Sequence, residues 1–131
     1  MCLEYNNQTE SSKAAELCRS KHGKLPLPTD EEENADYLNA FKSMFLEVKF
    51  PKSVEKRVAL DLDDTKSEGQ FCTSSTDEPV KWLNWKEGEP SNSGEDFVNM
   101  YVFNKVNDGK WNDSVKSNNV HVFCEYEPKS K

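Results

Sequence analysis

Residues 85–96, WKEGEPSNSGED, form a polar run that cannot bury itself against a hydrophobic core. The run holds four carboxylates, a proline and two glycines. Carboxylates a few ångströms apart repel one another unless a positive charge neutralises them. The simplest explanation is a loop that holds a cation, and a solvated acidic turn is the alternative.

The size and charge of the chain exclude several classes of protein. At 131 residues it is large enough for one core, so we expect residues 1–131 to form a single domain. The net charge is −7 and the basic residues are scattered, so a nucleic-acid backbone would be repelled. No apolar run is long enough to span a bilayer and no hydrophobic export segment follows Met1, which we expect to begin a mature form.

The spacing of the cysteines indicates disulfides rather than zinc. Four cysteines are spread along the chain: Cys2, Cys18, Cys72 and Cys124. None lies in the paired C-x-x-C spacing of a zinc site. Glycosylation sequons at Asn7 and Asn112 are compatible with export. We therefore expect a secreted, extracellular protein.

Two helices are predicted in the first half of the chain. Apolar residues at helical spacing predict the first from about Thr9 to His22, and Gly23 would supply a left-handed end. Residues Thr29 to Glu32 resemble a capping box and begin the second. Its apolar stripe is Ala35, Leu38, Phe41 and Phe45.

Strands are predicted after the helices. Residues Arg57 to Leu62 alternate in the period of a strand with one buried face. Further candidates are Lys81 to Trp85, Phe97 to Phe103 and Val120 to Tyr126. Helices followed by strands predict an α+β domain.

Oxygen-bearing side chains occur in three separated segments. They are Asp64 with Glu68, then Glu89 to Asp96, and then Asn112 with Asp113. Calcium takes several such oxygen ligands at once, from carboxylates, amide carbonyls and water in flexible loops. An EF-hand at Asp61 to Asp64 is rejected because Lys66 stands where that loop requires glycine.

The order of these landmarks along the chain identifies a family. The segments are 62–71 (LDDTKSEGQF), 82–85 (WLNW), 89–91 (EPS), 111–113 (WND) and 122–125 (VFCE). In this order and spacing the sequence resembles the C-type lectin-like domains, from the first helix to Cys124. The resemblance implies two helices flanking antiparallel sheets, with a long calcium-binding loop region.

The resemblance also implies the site residues. The principal calcium would be held by Glu89, Ser91, Glu95, Asn112 and Asp113, with a cis peptide before Pro90. An auxiliary calcium would be held by Asp64, Glu68, Asn92, Glu95 and Asp96. Two adjacent sugar hydroxyls would coordinate the principal ion and hydrogen-bond to Glu89, Ser91, Glu95 and Asn112.

The sequence departs from the family pattern at Ser91. Glu-Pro-Asn is typical of mannose-type members, and Glu89 favours that class. Glu-Pro-Ser also occurs in some galactose-binding members, so both sugars stay open. A galactose-type site would also need an aromatic face, for which Tyr101 or Phe103 is the candidate.

The resemblance pairs Cys18 with Cys124, and Phe97 and Lys116 occupy the positions of the family's other common bridge. Cys2 and Cys72 are then either bonded to each other or left for links between subunits, such as those of a homodimer.

The expected function is calcium-dependent carbohydrate binding, for glycan recognition on cells or microbes. The alternative is a lectin-like domain that has lost sugar recognition and binds a protein, mineral or ice surface. We expect no enzyme, since no nucleophile, base and orienting group come together. The three tryptophans are expected in the core rather than at a ligand.

Overall fold

The computed structural model describes residues 2–50, 55–66, 70–89 and 96–126. Two helices and five strands follow one another as β1 Leu3–Glu10, α1 Ser11–Ser20, α2 Glu31–Glu47, β2 Lys56–Asp63, β3 Phe97–Val102, β4 Trp111–Ser114 and β5 Asn119–Glu125. The strands form one sheet in the order β1-β5-β2-β3-β4. The predicted α+β fold class is confirmed.

The sheet is mixed rather than wholly antiparallel. Three pairs of neighbours are antiparallel, namely β1 with β5, β2 with β3 and β3 with β4. The fourth pair, β2 and β5, is parallel, with Val58 opposite His121. This arises because β5 inserts between β1 and β2 while remaining antiparallel to β1.

Strand β2 is buried on both faces, whereas the sequence predicted one buried face. Val58, Leu60 and Leu62 pack in the larger core, beneath the aromatic side chains of α2. On the other face Ala59 packs against Ala14 of α1 in a second apolar cluster. The prediction was wrong because α1 covers the side of the sheet that was assigned to solvent.

Helix α2 is capped one residue later than predicted. The carboxylate of Asp30 accepts a hydrogen bond of 2.8 Å from the Glu33 amide. In return, the Glu33 carboxylate accepts from the amide and hydroxyl of Thr29 at 2.8 and 2.7 Å. The Asp30 bond satisfies an amide that the first helical turn leaves unpaired, and the Glu33 bonds fix the residue before the cap.

The end of α1 also differs from the prediction. His22, with φ 66°, takes the left-handed position that was assigned to Gly23. Gly23 is required for a different reason, since a Cβ there would lie 2.8 Å from Cε1 of Tyr126 and 3.0 Å from the Glu125 carbonyl oxygen. Glycine therefore lets the end of α1 approach β5 closely.

The local pattern misplaced or missed three segments. The predicted strand at Lys81 to Trp85 is wrong, because its only ladder contact in the described chain is an isolated bridge from Trp85 to Trp111. Strands β1 and β4 were not predicted, and residues 9–10 belong to β1 rather than α1. Trp111 is fully buried, as expected for a core tryptophan, and Trp82 and Trp85 are partly buried against the same core.

The cysteines fall into two classes. Cys18 and Cys124 form a disulfide that joins α1 to β5, with Cα atoms 5.3 Å apart. Cys2 and Cys72 are free, so they are not bonded to each other. Among the described residues, no helix combines the length and apolarity needed to cross a membrane.

His121 is buried in an aromatic cluster on the α2 side of the sheet. Its Nδ1 lies 2.9 Å from the Tyr5 hydroxyl, and its ring is 4.9 and 5.2 Å from those of Phe45 and Phe50. Burial, and then the charge of Lys56, lowers the pKa of His121 to about 4. The folded chain therefore holds this imidazole neutral in mildly acidic buffer.

Because of this depressed pKa, we expect the stability of the folded chain to fall as the pH is lowered. An unfolded His takes up a proton near pH 6.5, whereas the folded one does so only near 4. Lowering the pH from about 7 to about 4.5 should thus cost on the order of 2 kcal/mol through this residue. Urea unfolding in chelator should show that His121→Phe loses less stability over this range than the wild type.

The exposed His22 supplies the control for this experiment. His22→Gln should keep the wild-type pH dependence. An acid loss of the same size in the wild type and in His121→Phe would contradict the assignment.

Candidate metal centre

Two backbone hydrogen bonds bring the acidic loop to the edge strand β4. The amide of Trp111 donates to the Asn84 carbonyl, and the amide of Lys86 donates to the Trp111 carbonyl, each at 2.8 Å. A turn follows, in which the Glu89 amide donates to the Lys86 carbonyl at 3.0 Å. Gly88 has φ 89° in this turn, a conformation that favours glycine. The chain before Glu89 is thus fixed beside β4.

Strand β4 carries the second group of predicted ligands. Asn112 lies opposite Asn99 and Asp113 lies opposite Val98 in the antiparallel ladder with β3. Both side chains belong to buried residues, with 6% of Asn112 and 1% of Asp113 exposed.

Trp111 anchors β4 to the second helix. Trp111 is fully buried, and its indole Nε1 donates to Oδ1 of Asn34 at 2.9 Å. The side-chain Nδ2 of Asn34 donates in turn to the Gly109 carbonyl at 2.9 Å. Sequence reasoning missed Asn34, although its place on the buried stripe of α2, ahead of Tyr37 and Phe41, marked it as a buried polar group. These bonds hold the segment that presents Asn112 and Asp113.

One carboxylate oxygen of Glu89 is unsatisfied within the part of the chain that the structure describes. The Oε1 atom is buried and has no hydrogen-bond partner among the residues that the structure describes. A buried acceptor left without a donor costs on the order of 1–3 kcal/mol, and more when it is charged. A bound cation would satisfy this oxygen, and the oxygen donors of Glu89, Asn112 and Asp113 suit a hard cation such as calcium.

The charges of two predicted ligands, Glu89 and Asp113, act on the hydroxyl of Tyr101. Its pKa is raised, chiefly by burial, while Arg57 opposes the rise and the carboxylates of Glu55, Glu89 and Asp113 add to it. The charges of Glu89 and Asp113 therefore act on the same phenol.

Neither of the two aromatic side chains predicted as the face of a galactose-type site has an uncovered ring. Tyr101 is only 5% exposed, and the guanidinium carbon of Arg57 lies 5.0 Å from its ring centroid. Phe103 packs on the core, 6.4 Å from Phe45, with the Lys56 ammonium 5.1 Å from its centroid. Sequence reasoning missed these cations because Arg57 and Lys56 lie far from the loop in the chain.

The predicted auxiliary ligands are brought together in part. The amide of Asp64 donates to the Asp96 carbonyl at 3.1 Å, so the loop after β2 meets the residue that precedes β3. Asp64 is buried. Glu68 and Asn92 lie outside the described residues.

Two of the predicted principal ligands, Ser91 and Glu95, also lie outside the described residues, as does Pro90 with its predicted cis peptide. Within the described chain, no three or more His, Cys, Asp or Glu side chains form a group that could hold a metal. The predicted principal ligands that the structure describes are therefore Glu89, Asn112 and Asp113. The remaining predicted principal ligands, Ser91 and Glu95, lie between Glu89 and Asp96 in the sequence.

Known proteins share both this sequence pattern and this fold. The lectin C-type domain family matches residues 7–126. Collectin-10 of Gallus gallus is 33% identical over 119 residues, which cover 87% of this chain and 37% of that protein. Pulmonary surfactant-associated protein D of Bos taurus is 30% identical over 115 residues, which cover 86% of this chain and 27% of that protein. The chain thus spans about a third of the length of these relatives.

Solved structures show the same fold at lower identity. The carbohydrate-recognition domain of the mouse scavenger receptor C-type lectin has a TM-score of 0.75 at 23% identity, covering 99% of this chain and 91% of its own. The C-type lectin CEL-I from Cucumaria echinata has a TM-score of 0.77 at 21% identity, covering 96% and 91%. The resemblance predicted from the sequence is confirmed, and the chain belongs to the lectin C-type domain family.

Proposed function

We propose that this chain binds carbohydrate through a calcium ion held between the Glu-Pro-Ser and Trp-Asn-Asp segments. The observation that carries the proposal is the buried Oε1 of Glu89, which has no hydrogen-bond partner in the described chain and lies on a loop fixed to β4. Membership of the lectin C-type domain family supports it. The full proposed ligand set is Glu89, Ser91, Glu95, Asn112 and Asp113.

The proposed ligands also contact the sugar. Bound calcium supplies a Lewis-acidic centre to which two adjacent sugar hydroxyls coordinate. Glu89 and Glu95 accept hydrogen bonds from those hydroxyls, the Asn112 amide donates to a hydroxyl oxygen, and Ser91 can do either. This sharing makes recognition depend on the metal.

A second calcium would join the segment after β2 to the segment before β3. Its proposed ligands are Asp64, Glu68, Asn92, Glu95 and Asp96. The hydrogen bond from the Asp64 amide to the Asp96 carbonyl supports this proposal, because it already holds the two loops together.

Mannose-type sugars are the first choice for a test. Glu89 is the residue typical of that class, and a galactose-type site would need an aromatic face. The candidates Tyr101 and Phe103 are covered by cationic side chains. Galactose belongs in the same experiment, because Ser91 departs from the mannose-type signature.

Affinity chromatography tests this function. We expect the chain to be retained on immobilised mannose in calcium and released by chelator or free sugar. Release is also expected near about pH 4.5, because protonated carboxylates no longer hold the metal. Retention that ignores chelator would contradict the proposal, and metal-insensitive binding to a protein, mineral or ice surface would support the alternative.

Single sugar sites bind weakly, at about millimolar affinity or 4 kcal/mol, so recognition of cells or microbes needs several sites together. We therefore propose a homodimer of single domains. The exposed free thiol of Cys2 is a better intersubunit link than the partly buried Cys72. The disulfide between Cys18 and Cys124 is consistent with the proposed secretion, because such bonds persist in oxidising compartments.

A further inference from the structure

We propose that Asn7 carries an N-linked oligosaccharide and that Asn112 does not. The acceptor motif for such a glycan is Asn-x-Ser or Asn-x-Thr, with x other than proline, and the chain holds this motif at residues 7–9 and 112–114. The proposal rests on the proposed secretion, because these glycans are attached in the secretory pathway. The structure gives the two asparagines opposite surroundings.

Asn7 lies on a bulge of strand β1. The register of β1 against β5 shifts between Tyr5 and Gln8, where β1 accommodates one extra residue. Asn7 has φ 74°, a left-handed conformation that asparagine adopts more readily than most residues. The residue is exposed, and β1 is an edge strand of the sheet. An oligosaccharide on Asn7 would therefore extend into solvent.

The local hydrogen bond of Asn7 is compatible with a glycan. Its Oδ1 accepts from the Gln8 amide at 3.0 Å, whereas a glycan would join Nδ2. In the transfer step Nδ2 forms a bond to C1 of an oligosaccharide carried on a lipid diphosphate, and the bond from C1 to the diphosphate oxygen breaks. Nδ2 loses one proton, which the departing diphosphate takes up. The carbonyl oxygen keeps its lone pairs, so the bond from Gln8 can persist.

The order of synthesis favours Asn7 as an acceptor. Glycan transfer takes place on segments that have not yet folded. Strand β1 has β5 as its neighbour in the sheet, and β5 is made only after β2, β3 and β4. Asn7 therefore stays accessible while the rest of the domain is synthesised. Asn112 lies on β4, whose partner β3 is made before it.

Asn112 cannot carry a glycan in the folded chain without displacing the residues that cover it. It is 6% exposed, and Ser114 of the same motif is 1% exposed. The Ser114 hydroxyl accepts from Nδ2 of Asn99 at 3.1 Å and lies 3.3 Å from the hydroxyl of Ser11. Molecules glycosylated at Asn112 would thus fail to complete β4, and we expect the secreted protein to lack them.

The proposed glycan lies away from the candidate metal centre. Strands β1 and β4 are the opposite edges of the five-stranded sheet. Asn7 is on the first of these edges, and Asn112 and Asp113 are on the second. Glycosylation of Asn7 therefore leaves the proposed calcium ligands uncovered.

Peptide mapping of the full chain, expressed in insect or mammalian cells behind a cleavable secretory leader, tests the proposal. Peptide-N-glycosidase in heavy-oxygen water removes the glycan and leaves a labelled aspartate at the position that carried it. We expect the label at Asn7 and unmodified Asn112. On a denaturing gel, the enzyme should convert one slower band to the mobility of the bare chain.

Two variants at one position separate the motif from the fold. Thr9→Ala removes the hydroxyl that the motif requires and should abolish the glycan, whereas Thr9→Ser retains a hydroxyl and should keep it. Leader-cleaved protein is mapped from the cells as well as from the medium, so that a variant that fails to fold still reports its glycosylation.

Unmodified Asn7 in the leader-cleaved wild type would overturn the proposal, as would a glycan on Asn112 of the secreted protein. A glycan that persists in Thr9→Ala would also overturn it. The added leader and the absence of any calcium requirement make these results independent of whether the chain binds sugar through calcium.

Discussion

Replacing Glu89 with alanine should abolish calcium-dependent retention on a sugar column. Outer-shell partners of metal ligands typically contribute 10–100-fold to metal affinity, so loss of a direct carboxylate ligand should weaken calcium binding by at least about 100-fold. Glu89 is placed for this role by the turn that fixes its backbone beside β4. Sugar binding should be lost as well, because in the proposed site the same carboxylate accepts a hydrogen bond from the sugar.

The stability of Glu89→Ala provides a second measurement, in which the variant should equal or exceed the wild type when calcium is absent. In chelator, Glu89→Ala should be as stable as the wild type or more so, because it removes a buried oxygen without a hydrogen-bond partner in the described chain. In calcium the wild type should become the more stable of the two, since binding stabilises the folded state. Glu87→Ala, at an exposed position in the same turn, is the matched control and should keep calcium binding. Calcium affinity unchanged in Glu89→Ala would exclude this residue as a ligand.

Removing the disulfide should have the largest effect on stability. The bond between Cys18 and Cys124 joins residues 106 positions apart, and a loop of that length restricts the unfolded chain strongly. We expect Cys18→Ala/Cys124→Ala to lower the free energy of unfolding by on the order of 4 to 5 kcal/mol. Both residues are fully buried in the cluster between α1 and the sheet, so some lost packing adds to this cost.

Urea unfolding measures the cost of removing the disulfide. Cys2→Ala is the control, since it makes the same substitution at an exposed free thiol and should leave the midpoint almost unchanged. A loss below about 1 kcal/mol in the double variant would show that the bridge contributes little to stability.

Segments with a strong local signal were predictable from the sequence. Helix α2 was predictable from its acidic first turn and from Phe41 and Phe45, but Ala35 of the predicted stripe is exposed and Asn34 and Tyr37 are buried instead. Strands β2, β3 and β5 were predictable from their apolar residues. Strand β1 was not predictable, because its sequence LEYNNQTE has no regular apolar alternation. Strand β4 is WNDS, whose three polar residues are buried only because the fold surrounds them. Strand β1 forms by pairing with β5 at the other end of the chain, and β4 forms by pairing with the preceding strand β3.

The candidate site was likewise predictable only in part. The sequence order of Glu89, Asn112 and Asp113 indicated a shared cation, and the structure places Glu89 on a turn beside β4. The contact of Arg57 with Tyr101 was not predictable, because it depends on the register of β2 against β3. Burial of the predicted aromatic faces likewise follows from packing rather than from local sequence.

Calorimetric titration of calcium into the wild-type chain at neutral pH tests the central claim most directly. We predict a saturable heat of binding and a rise in melting temperature with calcium concentration, as expected when a ligand binds only the folded state. Both effects should be absent in Glu89→Ala. No heat of binding and no rise in melting temperature in the wild type would mean that the carboxylate and amide oxygens of the two segments hold no calcium.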